Sequence, residues 1–390
     1  MSPTERVVVL GDLHLTASSP PELGSDLARL LTHHAGQQVI VVGDFFDFVV
    51  EQPKGGRAEA VGTLLAAHPE VRAALGTFLD RGGRLRFADG NHDAGMGHPS
   101  LRAALADALD SSFNARQRLT STPWFWREGS VHVEHGHFYD PDNAPADPLV
   151  LGEPSLGVHF TSEFINPTQA HHYLQVNDAT PLELLVGAFA WYGPRGPYVV
   201  YRYFHTAFRA LVRAGPFYRA ASERGIGDGK RAQFAAEAGV ARGLVDDVLR
   251  VGAQPTLTSF SATFARLYMD RVLATLLCSG GLLALAGGRR AAGATATTLG
   301  AMLMVASWLR AHDRYGGRVV DRLEAAAGRI ADQTDADLVI FGHTHREALT
   351  DHYANTGSFA FPRGAPGRPY LELELGEGPP RALRRYLLPK

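Results

Sequence analysis

Five short runs of apolar, mostly β-branched residues stop abruptly at Gly, Asp or His and hand over to side chains that can bind a metal ion, and this repeated junction constrains the chain more than any other feature. Residues 7–10 run into GDLHL, 39–42 into GDFFD, 85–88 into DGNHD, 131–134 into HGH and 338–341 into GHTH. Short apolar runs bounded by turn residues read as buried strands, so the pattern predicts five strands delivering five polar loops. Residues 21–33 and 58–80 carry apolar positions three and four apart, as in helices that cross over a layered sheet. Near the end, residues 351–358 and 369–375 are expected to pair as an antiparallel hairpin. The fold class expected is α/β or α+β, with its core in two parts, 1–140 and 331–390.

Residues 141–330 read differently. They open on a Pro-rich loop, PDNAPADPLVLGEP, and continue with helical periodicity, as at 201–214 and 242–251, so a large, mainly helical insertion or cap is expected. A chain of 390 residues, 45% hydrophobic, is long enough for a core and such an addition. Within it, 272–288 and 291–309 are free of charge, separated only by Arg289 and Arg290, and approach the ~20 residues that cross a bilayer. Arg266, Arg271, Arg310, Arg314 and Arg318 flank the pair on the core side, which by the positive-inside rule leaves the core in the cytoplasm. Small residues, among them Gly281, Ala284 and Gly293, leave a buried helical hairpin as the alternative. The polar start without a secretory pattern and the single cysteine, Cys278, agree with a cytoplasmic location, membrane-associated through 272–309. Lys plus Arg number 38 against 40 Asp plus Glu, so no general positive field exists to attract nucleic acid, and none is expected as a partner.

Hydrolysis of a phosphoester by divalent metals requires anionic oxygen and neutral imidazole ligands held rigidly. Asp12 and His14 are two apart at a strand end, where period-two geometry directs both to one side. Asp44 ends the next strand and could bridge two ions with its two oxygens. Asn91 offers a neutral amide oxygen after Gly90, which permits a tight turn, and leaves His92 for other work. His135, His343 and His345 complete seven candidate ligands. A lone Asp after a strand is more often a cap or turn residue, and a lone His a surface or core residue. Five strand ends that each pair Gly with Asp, Asn or His are not explained by turn chemistry. Asp47 reads as a loop or cap residue, and Asn355 as part of a turn near the site. His137 and Arg346 are candidate substrate contacts, whereas His33, His34, His68, His171 and His172 read as surface.

The order D-x-H, G-D-x-x-D, G-N-H-D, H-G and G-H-x-H resembles the calcineurin-like metallophosphoesterase superfamily, over about 200 residues that exclude 141–330. The resemblance implies a four-layer β-sandwich flanked by helices. It also implies one ion held by Asp12, His14, Asp44 and His345, and a second by Asp44, Asn91, His135 and His343. His92 would then serve as catalytic acid or transition-state stabiliser, oriented by Asp93. DLHL, GDFFD, HGH and GHTHR are closest to the UDP-2,3-diacylglucosamine hydrolase branch. That branch typically carries Arg in place of His92 and a shorter insertion, so the likeness bears on reaction type more than on substrate.

The expectation is therefore a phosphoric ester or pyrophosphate hydrolase with two divalent ions, manganese first, with Fe, Zn or Co as alternatives. Its substrate would be a phosphorylated small molecule or a lipid-linked or nucleotide-linked pyrophosphate. A soluble phosphodiesterase or phosphatase and a noncatalytic scaffold of the same fold are the competing classes.

Overall fold

The computed structural model describes residues 5–170, 181–222, 228–310, 318–364 and 366–389; His171, His172 and Arg314 lie outside them. All five expected strands form: β1 (Glu5–Leu10), β2 (Gln38–Val42), β3 (Arg84–Ala88), β6 (Val131–Val133) and β7 (Leu338–Phe341). They belong to two mixed sheets in an α+β arrangement. With β4 (Leu119–Thr122), β5 (Trp126–Glu128), β8 (Ala348–Leu349), β9 (Tyr353–Asn355), β10 (Arg368–Leu375) and β11 (Arg381–Leu387), the first has the order β11-β10-β1-β2-β3-β4, with β1 to β4 parallel. The second has the order β5-β6-β7-β9-β8, with β6, β7 and β9 parallel.

Alternation along the strands sets the layers. Val7, Val9, Ile40 and Val42 of the first sheet share one buried cluster with Val131, Val133, Leu338 and Ile340 of the second. The alternate residues Val8, Leu10, Val39 and Val41 pack with Leu23, Leu27 and Leu30 of the Pro21–His33 helix. Val339 and Phe341 pack with Leu323, Ala326 and Ile330 of the Arg318–Thr334 helix. Strands covered on both faces must be apolar at every position, which is why the runs are continuous rather than alternating in sequence. Because the ligand-bearing strands of each sheet run parallel, the polar loops all leave at carboxyl ends, where crevices form in parallel sheets.

The predicted 58–80 helix is two helices, Arg57–Ala67 and Pro69–Asp80. Pro69 supplies no backbone N–H and disfavours helical geometry at His68, so it ends one helix and starts the next. The expected 351–358/369–375 hairpin does not form. β9 (Tyr353–Asn355) joins the second sheet, parallel to β7, while β10 (Arg368–Leu375) joins the first between β1 and β11 (Arg381–Leu387). Leu371 and Leu373 fill the layer between the sheets from the first sheet's side, which fixes β10 there. Its true hairpin partner was missed because RALRRYL is the Arg-rich, half-exposed pattern of an edge strand.

By its internal contacts the chain divides into two units. One comprises residues 1–153, 222–254 and 319–390; the other comprises 154–221 and 255–318. Part of the sequence-defined insertion, including the Arg242–Val251 helix, thus packs within the first unit: Val245, Val248 and Val251 contribute to the cluster under the second sheet. The second unit contains Met269–Ala286 and Arg290–Arg310, and these two helices are long and apolar enough to cross a membrane. They meet through small residues. A Cβ on Gly281 would lie 2.4 Å from Thr297 Oγ1, one on Gly293 would lie 2.7 Å from the Gly281 carbonyl oxygen, and one on Gly300 would lie 2.7 Å from the Cys278 nitrogen. The glycines therefore form the helix–helix seam, and leucines such as Leu276, Leu282, Leu283 and Leu299 face outward.

Ile340, fully buried between the sheets, tests this layering. Ile340→Ala should destabilise the chain by about 2–5 kcal/mol, seen as a lower urea midpoint, whereas truncating the exposed Leu388 should change it by no more than about 0.5 kcal/mol.

Candidate metal centre

Backbone hydrogen bonds join the loops in pairs, β1 with β2 and β6 with β7. Leu13 and His14 donate to the Asp44 carbonyl at 2.9 and 2.8 Å, and Gly342 donates to the His135 carbonyl at 3.1 Å. Asn355 Nδ2 donates to the Gly342 carbonyl at 2.7 Å and Ser358 Oγ to the Asp12 carbonyl at 2.8 Å, so the turn after β9 braces the same loops. Glycines permit the approach. A Cβ at Gly90 would lie 2.1 Å from Asp44 Oδ1, and one at Gly43 would lie 2.7 Å from the His135 ring. Asp12, His14, Asp44, His343 and His345 all adopt left-handed backbone, with φ of 55, 46, 52, 68 and 54°. For non-glycine residues this costs roughly 1–2 kcal/mol each. Half of the described non-glycine residues with positive φ are thus predicted ligands, the kind of strain that concentrates at functional sites.

The strain delivers converging donor atoms. His345 Nε2 lies 3.2 Å from Asp12 Oδ1 and 3.1 Å from His14 Nε2. His14 Nε2 lies 3.6 Å from Asp44 Oδ2, and His135 Nε2 lies 3.2 Å from that same oxygen and 3.1 Å from Asn91 Oδ1. Asp44 Oδ1 is taken by the His92 backbone N–H at 2.8 Å, so Oδ2 alone stands between the two halves. Asp12 with His14 and His345, and Asp12 with Asp44 and His135, each form a group able to hold an ion.

The surrounding groups fix which ring nitrogen faces inward. His135 Nδ1 donates to the Val42 carbonyl at 2.7 Å and His14 Nδ1 to Asp47 Oδ2 at 3.3 Å, leaving both Nε2 lone pairs in the site. Asn91 Nδ2 donates to Asn143 Oδ1 at 3.4 Å, which turns its oxygen toward His135. His343 departs from this pattern. Its Nε2 donates to Asp140 Oδ2 at 3.0 Å, and Nδ1 is left as the nitrogen with a free lone pair. Its ring centre is 5.2 Å from that of His135.

Asp93 does not orient His92. Its carboxylate accepts the backbone N–H groups of Asp44, Phe45 and Gly90 at 3.1, 2.8 and 2.8 Å, clamping the β2 loop to the β3 loop. The residue on the His92 ring is Asp47, whose Oδ1 accepts from Nδ1 at 2.9 Å. Asp47 also caps the Phe48–Glu51 helix through Val50 N, as its position suggested, so one carboxylate serves a cap, a candidate ligand and a candidate acid. The three-residue spacing of Asp44 and Asp47 was the signal. Asp140 and Asn143 had none, since they act from a loop beyond HGH. His137 sits beside the centre, its ring 5.3 Å from that of His135. Arg346 is exposed next to His345, and the exposed ring of Phe361 stands 6.1 Å from both His14 and His345.

The chain's own charges make the centre acidic. Burial would lower the His135 imidazole, but the Asp44 carboxylate raises it to about 10. Burial is likewise outweighed at His92, which Asp47 and Asp44 raise to about 9. Burial and the Asp44 charge push Asp93 up to about 6, and burial with the Asp93 charge pushes Asp89 to about 7. Burial, reinforced by the neighbouring His135 and His343 imidazoles, holds His137 well below the usual imidazole range. Protonated imidazoles thus neutralise the carboxylates of the metal-free chain, a role that a divalent cation would take over. No protein-family model matches this chain, and a search of curated proteins finds no match.

Two outcomes follow. Because ligation requires neutral His135, metal binding near pH 7 should release a proton and tighten as pH rises toward about 10, which calorimetry in buffers of different ionisation enthalpy would read. In the metal-free chain the sign is opposite: a raised imidazole stabilises the fold below about 6.5, and this contribution disappears as pH passes 10. Asp47→Asn should weaken metal affinity roughly 10–100-fold by loosening His14, without unfolding the chain; unchanged metal titrations would rule out that orienting role.

Proposed function

We propose that this chain is a binuclear metal-dependent hydrolase of phosphodiester or pyrophosphate bonds, built as a four-layer metallophosphoesterase sandwich. The observation that carries this reading is the convergence of Asp12, His14, Asp44, Asn91, His135 and His345 donor atoms at separations of 3.1–3.6 Å. Oxygen and imidazole donors spaced in this way suit divalent ions such as Mn, Fe, Zn or Co. Asp12, His14, Asp44 and His345 would hold one ion, and Asp44, Asn91, His135 and His343 through Nδ1 the other. When bound, such a pair lowers the pKa of water and neutralises charge on a phosphoryl group.

The chain's residues supply the rest. Asp47 holds the His92 ring by Nδ1 and, with Asp44, keeps the imidazole protonated near pH 7, so Nε2–H could give its proton to the departing oxygen. Asp93 keeps the two loops in register, and His137 and Arg346 border the space a phosphate would enter. The outward leucines of the 269–310 hairpin favour a lipid-linked substrate and attachment to a membrane, with the core on the cytoplasmic side.

Purified enzyme should hydrolyse a member of a panel of cyclic nucleotides, UDP-sugars, acylated UDP-sugars and lipid pyrophosphates in the presence of Mn, and lose this activity with chelator. Asp44→Ala should abolish turnover and bound metal together. His92→Gln should retain metal and lower kcat about 10²–10⁴-fold. Wild-type turnover by Asp44→Ala would refute the assignment.

A further inference from the structure

In the second unit the longest amphipathic helix has one buried face and one exposed face. In the Gly196–Arg213 helix, Val199, Thr206, Ala207 and Ala210 are buried. Arg202 donates to the Glu163 carbonyl, Thr206 Oγ1 reaches the same oxygen at 3.3 Å, and Arg209 Nη1 lies 2.8 Å from the Glu163 carboxylate. The outward stripe is Tyr198, Tyr201, Phe204, Phe208 and Val212, spaced three or four apart and 39–67% exposed, with no charged side chain among them. The Pro181–Tyr192 helix packed beside it adds exposed Val186, Phe189 and Trp191. Isolated apolar residues on a surface are ordinary, but a continuous aromatic stripe on a helix whose other face is already buried marks an interaction face.

Charge identifies what covers it. Of the chain's 38 Lys and Arg, twelve lie in residues 154–221 and 255–318, all of them Arg, against five of its 40 Asp and Glu. This unit is therefore net positive by seven, while the remaining residues are net negative by nine. The near-neutral total conceals a basic, aromatic-faced unit that also carries two helices of bilayer length. A second copy would bring the same positive charge to the face. An anionic lipid surface complements both the arginines and the rings.

We propose that the Gly196–Arg213 helix lies in the plane of an anionic membrane surface, its Tyr198 to Val212 stripe among the upper acyl chains and the exposed Arg195 and Arg213 at its ends among the headgroups. Tyr at one end of the stripe suits the headgroup boundary, where a ring with a polar tip is favoured. The proposal rests on the reading of the 269–310 hairpin as a bilayer element and adds a second, shallow contact. The membrane would then hold the whole unit at two depths.

The test uses the full chain in a Cys278→Ser background, reconstituted in phosphatidylcholine vesicles with or without phosphatidylglycerol. Single cysteines in place of Phe208, Leu276 or Phe113 carry an environment-sensitive fluorophore. The Phe208 label should shift to the blue and be quenched more by lipids with a nitroxide near the headgroup than at the chain end. The label at Leu276, midway along its helix and outward-facing, should show the reverse preference, and the Phe113 label should remain aqueous. An aqueous Phe208 label beside a membrane-buried Leu276 label overturns the in-plane helix while leaving the hairpin reading intact. Aqueous labels at both positions overturn both. A shifted Phe208 label that ignores nitroxide lipids and transfers energy between copies assigns the face to a second copy and also overturns the proposal. A Phe208 response independent of phosphatidylglycerol removes the headgroup role of the arginines.

Discussion

Asp12 and Asp44 are almost wholly shut off from water, and each lies 3.2 Å from an imidazole nitrogen that belongs to a loop of the other sheet. Burying a carboxylate without a compensating charge costs several kcal/mol. The loops of β1, β2, β6 and β7 can therefore meet only where positive charge, as imidazolium protons or as cations, neutralises the two acids. That requirement ties the two sheets together at one end and accounts for the left-handed backbone of five candidate ligands, which hydrogen bonds between loops hold in place.

The same economy of charge extends outward. Asp47 links the His14 ring to the His92 ring, so the group that orients a candidate ligand also orients the candidate acid. Asp140 holds His343 while Asn143 Nδ2 donates to that same Asp140 oxygen at 2.7 Å and Asn143 Oδ1 accepts from Asn91. Behind the second sheet, the buried Glu134, next to His135, accepts from Trp124 Nε1 at 2.8 Å, from His132 at 2.7 Å and from the Tyr139 hydroxyl. Each buried acid has fixed donors, as a polar network inside a core requires.

The second unit obeys a different rule. Its helices meet through glycine, and leucine and aromatic side chains are left outside. In water this arrangement is costly, and beside lipid it is the expected one.

Much of this was legible in the order of residues, because strands covered on both faces need unbroken apolar runs, and candidate ligands must follow where those runs end. The five strands, the Pro21–His33 and Arg242–Val251 helices and the hairpin of bilayer length were all determined locally. The partners of β9 and β10 were not, since pairing depends on which sheet has an open edge and an apolar face to fill. Nor could the sequence distinguish Asp47 from Asp93. Both follow a Gly-Asp or Gly-Asn element by a short interval, and only the folded loops decide which carboxylate meets the imidazole and which meets backbone N–H groups. Side-chain type and spacing are properties of the chain, whereas the direction in which a carboxylate points is set by loops from distant strands, and those meet only in the tertiary structure.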